Sequence, residues 1–401
     1  MTERLYYTNP YARSFDARVV RVDRAADRFA GRTAVYLNRT AFYPTSGGQP
    51  FDTGLLAGAR VADVVDEDGG DIAHVLESPV AFEPGLDVHG EIEWPRRFDH
   101  MQQHTGQHVL SAAFVHLHDV RTVSFHLGAE VSTIDLAREL TADAIAAAEA
   151  EADRVVWEDR AIAIRFASKE EAAAMPLRKE SHRDGTLRLI DIEGWDLSAC
   201  GGTHVSRTGA IGVIAVSAWE RFKGGQRIEF VCGGRALRRF GVMRDVIAAS
   251  SRLLSVGAAD VPGTIERLQA DAKEQKRAAA LLETELARFR AGELAASAED
   301  IPAGRLVLHA LAADGNGLKS LASAIAAGSG FVVVLVSSSA PALAVVARSS
   351  DLTAVSAQQI VAGLVSEFGG RGGGRPELAQ AGGLDGTPTA ILAAARALLV
   401  R

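Results

Sequence analysis

The residues best suited to chemistry in this chain of 401 are His104 and His108, four apart in His-Thr-Gly-Gln-His, and Cys200 and His204, four apart in Cys-Gly-Gly-Thr-His. Residues four apart on a helix project from one face, which is metal-ligand spacing. His100 stands another four residues upstream, so spacing alone leaves open which two of the three histidines bind. Gly201 and Gly202 predict a tight loop in which backbone can pass close to an ion. Together, two imidazoles, a thiolate and a third imidazole make a tetrahedral set of three nitrogens and one sulfur, which suits the borderline softness of zinc. A zinc site with an open position lowers the pKa of bound water toward ~7 and polarises a carbonyl, which favours hydrolysis of an ester or amide. Four simultaneous ligands would instead make a closed, structural site, and the sequence leaves both readings open.

A third element, Thr40 to Pro50 (TAFYPTSGGQP), is polar and glycine-rich. Gly47 and Gly48 would let backbone amides approach a substrate, while Thr40 and Gln49 offer a hydroxyl and an amide for recognition. Cys200 and Cys232 are too few for a disulfide framework, and Cys232 reads as a buried small hydrophobe.

These groups need a scaffold. From Ala17 to Trp94 the chain carries short β-rich runs (ARVVRVD, TAVYLN, RVADVVDE, DIAHVLE, DVHGEIEW) separated by Gly, Pro and Asp. After Pro95 the pattern turns helical, with Met101, His104, His108 and Leu110 on related turns. A helix is expected at 142–157, with strands at 162–167, 187–190 and 211–215. Residues 235–298 read as two helices, and Leu268, Leu281, Leu282, Leu286 and Phe289 form a partial apolar stripe expected to pack on a partner helix. Beyond Ile301, strands and helices alternate again. The fold class expected is α+β, in four parts: a barrel-like β-domain at 1–94, a metal-binding α+β domain at 95–234, a helical linker at 235–298 and an α/β domain at 299–401.

Composition is that of a globular protein, 47% apolar and 23% charged. The net charge of -7 lacks the footprint of a dedicated nucleic-acid binder. Locally, however, Arg221, Lys223, Arg227, Arg235, Arg238, Arg239 and Arg244 face a single acid, Glu229, a patch suited to phosphates or to plain solvation. The apolar run Phe331–Val336 falls far short of the ~20 residues that cross a bilayer. The amino terminus, broken by Glu3, Arg4, Asn9 and Arg13, lacks the run of a secretory signal, so a cytoplasmic protein is expected.

Four motifs in order, TAFYPTSGGQP, MQQHTGQH, SACGGTHVSRTGAIG and GGQRIEF, resemble the trans-editing alanyl-tRNA deacylases called AlaX, which are similar to the editing domain of alanyl-tRNA synthetase. GGRGGGRPELAQAGG at 369–383 resembles the glycine-rich signature of the synthetase carboxy-terminal domain, which suggests the long form of AlaX. The resemblance implies hydrolysis, with Zn2+, of the ester joining serine or glycine to tRNA-Ala, with alanine spared. It places the zinc ligands at His104, His108, Cys200 and His204 and excludes His100. Gly47, Gly48 and Gln49 match the loop lining the editing pocket, and Thr40 matches a threonine that recognises the serine hydroxyl. Arg371, Gly372, Gly373, Gly374 and Arg375 are expected to form an exposed loop touching the tRNA body, and the carboxy-terminal region to support a homodimer. Nothing in the chain reads as an aminoacylation core, so no use of ATP is expected. Two competing functions are a non-catalytic, zinc-stabilised tRNA-binding module and a hydrolase of small aminoacyl esters.

Overall fold

The computed structural model describes residues 1–179 and 185–400. The architecture is α+β, in two compact units, Met1–Ala249 and Ser250–Arg401.

The first unit opens with a closed six-stranded barrel in the order Ser14–Ala26, Arg32–Leu37, Ile72–Leu76, Ala59–Asp66, Gly54–Leu56 and Asp87–Ile92. Alternation along these strands sends Val19, Val35, Leu37, Val64 and Ile72 inward to a core shared with Phe42. Closure leaves no unpaired edge. The helix Trp94–His118 follows, started by Pro95 in its first turn, where a missing N–H costs nothing. From His100 to Phe114 this helix is almost wholly buried, because a four-stranded antiparallel sheet (Thr122–Leu127, Ser132–Leu136, Gly225–Cys232, Ile214–Phe222) and the helix Ala142–Trp157 pack around it through Leu110, Phe114, Ile134, Val155 and Phe230. A separate antiparallel sheet orders Ile162–Ala167, Leu187–Ile192 and Asp196–Ala199. The strand expected at 211–215 begins only at Ile214, because Thr208–Ile211 winds into a 3-10 turn fastened by the Thr208 hydroxyl, which donates to the Val155 carbonyl.

The second unit carries the helix Val261–Ala296 and a six-stranded sheet in the order Glu299–Ile301, Gly304–Leu311, Phe331–Ser337, Ala342–Arg348, Leu378–Leu384, Arg371–Arg375. Phe331–Ser337 is apolar almost throughout because helices cover both faces: Val334 and Val336 enter one core, Val333 and Leu335 the other. Two expectations need correction here. Arg371–Arg375 is the exposed edge strand of the sheet rather than a loop. A Cβ on Gly372 would strike the Ala381 methyl and the Gln380 carbonyl, both at 2.7 Å, so glycine is what permits the close pairing. The stripe Leu268, Leu281, Leu282, Leu286 and Phe289 is exposed, since the long helix is buried mainly near its end, at Ala291 and the half-buried Leu294 and Ala295.

Among the described residues no helix is long and apolar enough to cross a membrane.

Candidate functional site

The helix Trp94–His118 holds His104, Gln107, His108 and Ser111 on one buried face. Cys200 and His204 arrive from the antiparallel hairpin of Leu187–Ile192 and Asp196–Ala199, and Cys200 is the first residue past its second strand. Gly202 then lies flat against the His104 imidazole, where any Cβ would collide with the ring. Arg188, in the first strand of the hairpin, locks this turn from below: Nη1 donates to the carbonyls of Cys200 (2.6 Å) and Gly202 (2.9 Å), and Nε to that of Tyr7 (2.9 Å).

The result is a cluster in which one donor atom from each of His104, His108, Cys200 and His204 lies within 4.8 Å of all the others. Cys200 Sγ stands 3.3 Å from Nε2 of His104 and 3.3 Å from Nε2 of His204. Around a tetrahedral zinc, with Zn–S near 2.3 Å and Zn–N near 2.0–2.1 Å, donors stand about 3.3–3.6 Å apart. The cluster fits a metal of that size.

Its outer contacts fit as well. Nδ1 of His104 donates to Gln49 Oε1 (2.8 Å), Nδ1 of His108 donates to Asp196 Oδ2 (3.1 Å), and Nδ1 of His204 lies 3.3 Å from Thr105 Oγ1. With each Nδ1 engaged, Nε2 of each ring is left for an ion, the arrangement by which proteins fix the tautomer of ligating histidines. Burial opposes charge on Asp196, but His108 and Arg178 outweigh it and hold the carboxyl at about 2. Burial likewise works against a Cys200 thiolate, yet the imidazoles of His104 and His204 hold the thiol well below its usual range. Burial drives His204 down to about 3 and keeps it neutral. A thiolate and a neutral imidazole are forms that bind metal.

The glycine-rich element is tied to the same helix. Buried Arg97 pairs with Asp52 and donates to the carbonyls of Ala41 and Pro10, and Asp52 accepts from the Tyr43 amide at 2.6 Å. Gln49 is fully buried and bridges His104 to the Thr203 amide and hydroxyl. Gly48 (φ +81°) packs on Phe125, where a Cβ would sit 2.8 Å from the ring. Thr40 is fully buried too, with its hydroxyl 2.8 Å from Nε2 of His74. Because Nδ1 of His74 donates to the Val35 carbonyl (2.9 Å), Nε2 must accept, so the Thr40 proton is committed there while its oxygen takes the Phe42 amide.

The cluster opens on a cleft of about 470 Å3. His108, Cys200, Gly47, Gln107 and Phe125 line it, whereas Thr40, Gly48 and Gln49 do not. Arg178, Lys179 and Arg188 also line it, Arg178 paired with Asp196 at 2.6 Å behind the wall, with no carboxylate among the described lining residues. A cationic wall of this kind attracts phosphate. Most of the basic run from Arg221 to Arg244 is spent otherwise: Arg221, Arg227, Arg235, Arg238 and Arg244 each lie within 4 Å of a carboxylate. His100 is buried apart from the cluster, between Arg96, Asp99 and Arg235, and burial lowers it to about 3. Cys232 is buried against Gly106, and burial pushes its thiol up.

Sequence reasoning missed Asp196, Arg178, Arg188 and Gln107. Arg188 does leave a trace, as a cation inside the apolar strand LRLIDI. Gln107 sits between two of the histidines singled out. Asp196 and Arg178 leave none, since their roles exist only once His108 arrives from 88 residues away.

A sequence profile described as the threonyl and alanyl tRNA synthetase second additional domain matches residues 187–229, the stretch that carries Arg188, Asp196, Cys200 and His204. The alanyl-tRNA editing protein AlaX-L of Pyrococcus horikoshii is 36% identical over 255 residues, 61% of this chain and 62% of that protein. The chain is similar to AlaX-L over that stretch. It is also similar to the alanine–tRNA ligase of Pyrococcus abyssi, 32% identical over 396 residues, and to that of Pyrococcus furiosus, 34% identical over 396 residues. Against these ligases the chain is matched over 94% of its own length, and it spans 42% of theirs.

Proposed function

We propose that this protein is a trans-acting deacylase that hydrolyses the ester between a wrongly attached small amino acid, serine or glycine, and tRNA-Ala. The observation that carries the reading is the cluster of three imidazoles and a thiolate, of which His108 and Cys200 line a cleft together with Arg178, Lys179 and Arg188. In this reading His104, His108, Cys200 and His204 hold Zn2+, which would polarise the ester carbonyl or a water at the cleft floor. Gln49 and Asp196 orient His104 and His108, Gly47 and Gly48 let the backbone come close to the aminoacyl end, and Thr40 positions their loop. The cationic wall takes the phosphates of the acceptor end. Residues 1–94 and 95–234 form the pocket, 235–298 link it to residues 299–401, and the edge strand Arg371, Gly372, Gly373, Gly374, Arg375 contacts the tRNA body. A homodimer through the carboxy-terminal region and a cytoplasmic setting belong to the same proposal.

Four protein donors also fill a tetrahedral ion, which favours a second reading in which zinc is structural and the chain binds tRNA without turning it over. Incubating a hundredfold excess of Ser-tRNA-Ala and Gly-tRNA-Ala with the full chain separates the two. Many turnovers, lost on chelation and restored by zinc, support the deacylase, while binding without release of amino acid supports the module.

A further inference from the structure

Among the described residues, two that line the cleft carry a buried side-chain polar atom with no hydrogen-bond partner: Arg188, at Nη2, and Gln107, at Oε1. Buried polar groups are rarely left unpaired, so each such atom asks for an explanation. For Arg188 one is at hand, because its other two nitrogens already hold three carbonyls of the Tyr7 and Cys200 segments. Gln107 has no such account.

Its amide is held at one end only. Nε2 donates to Ser111 Oγ at 2.8 Å, one helical turn on, and the Thr122 hydroxyl donates to the same oxygen at 2.8 Å. In this arrangement Ser111 Oγ receives both donors, and the Gln107 amide has its nitrogen toward the helix and its oxygen without a partner. The residue is 2% exposed and precedes His108, whose ring belongs to both the metal cluster and the cleft wall. An unpaired, buried acceptor therefore belongs to a residue that lines the cleft next to a member of the cluster.

The charge around it selects the donor. Arg178, Lys179 and Arg188 line the same cleft without a carboxylate among the described lining residues, and an ion at the cluster adds to that sign. Among the neutral groups a small amino-acid side chain can offer, a hydroxyl is the donor that suits such an acceptor. Thr40, the other hydroxyl-reading candidate, is absent from the wall and has its proton committed to His74.

We propose that Gln107 is a specificity-determining residue whose amide oxygen accepts the side-chain hydroxyl of a small hydroxy amino acid, so that the site favours seryl over glycyl esters. This rests on the deacylase reading. A site built to bond a substrate hydroxyl discriminates against the analogue that lacks it, because its own buried acceptor then stays unpaired.

The test uses the zinc-loaded full chain with Gln107→Leu and, as a second apolar side chain of similar length, Gln107→Met. Two ratios are measured: kcat/KM for Ser-tRNA-Ala against Gly-tRNA-Ala, and Kd for non-hydrolysable 3′-seryl-amido against 3′-glycyl-amido adenosine. Zinc content is read alongside. The expected result is that each serine-to-glycine ratio falls at least ten-fold, about 1.4 kcal/mol, with zinc retained. Ratios within two-fold of wild type in either zinc-retaining variant would overturn the proposal. Loss of zinc from both variants would overturn it too, by showing that Gln107 supports the cluster instead. A wild type that neither turns over nor binds any of these compounds would bring down the deacylase reading itself, and this inference with it.

Discussion

Gln49 Oε1 accepts the Nδ1 proton of His104 at 2.8 Å and, from its other side, the amide proton of Thr203 at 3.1 Å. One buried amide thus fixes the tautomer of a histidine on a helix and the path of the loop that brings Cys200 and His204 to meet it. Replacing Gln49 by Leu removes both bonds without emptying the space. Outer partners of metal-bound histidines are typically worth about 10–100-fold in metal affinity. Gln49→Leu is therefore expected to weaken zinc binding by about that factor in a chelator competition, and unchanged affinity would contradict the role given to this side chain.

Gly202 makes a stricter demand. Its α-hydrogen faces the His104 ring where a methyl group has no room. Gly202→Ala must push the loop or the ring aside, an overpacking cost of about 1–3 kcal/mol. The expected outcome is a protein that folds with lower thermal stability and retains less than one zinc per chain by atomic absorption, whereas Gly201→Ala, beside only the rim of Tyr7, keeps its metal.

Arg188 reaches three carbonyls in a fork that a lysine ammonium cannot span. Arg188→Lys keeps the charge of the cleft wall but releases the Cys200 turn. We expect zinc affinity to fall while the salt dependence of tRNA binding stays that of the wild type. Zinc affinity equal to that of the wild type would show that Arg188 does not hold the loop.

His74 gives the protein a pH dependence of definite sign. Burial lowers it to about 4, from an ordinary value near 6.5, and so keeps it neutral as the acceptor of the Thr40 proton. Between these values the unfolded chain takes up a proton that the native state refuses, so stability rises with pH across this window. It is lost as pH falls from about 6.5 to about 4. The full difference amounts to about 3 kcal/mol. Urea unfolding of wild type and His74→Gln at pH 7 and pH 4.5 is expected to show the wild type losing about 2–3 kcal/mol more than the variant over that interval. Equal losses would show that His74 is not held neutral.

Much of this fold is local, and that part can be read from the chain. The barrel strands show in runs such as TAVYLN and DIAHVLE because alternation and turn residues are properties of neighbours in sequence. His104 and His108 share a helical face for the same reason. The edge strand Arg371–Arg375 escapes such reading, because three consecutive glycines look like a loop until Ala381 and Gln380 are placed beside them. The outer partners of the cluster escape it too. Asp196 acts on a histidine 88 residues away and Gln49 on one 55 residues away, and no local pattern encodes either pairing. Thr40 illustrates the opposite case, in which a hydroxyl legible as a recognition group turns out to have its proton engaged by His74.

The three imidazoles and one thiolate of this site are expected to support hydrolysis of a mischarged tRNA. The most direct measurement is multiple-turnover release of serine from Ser-tRNA-Ala, with Ala-tRNA-Ala as the control, by the zinc-loaded wild type and by Cys200→Ala. The expected result is many turnovers on the seryl ester, little release of alanine, and a loss of at least a hundredfold in the variant. Equal rates for wild type and Cys200→Ala, or no release of serine by either, would contradict it.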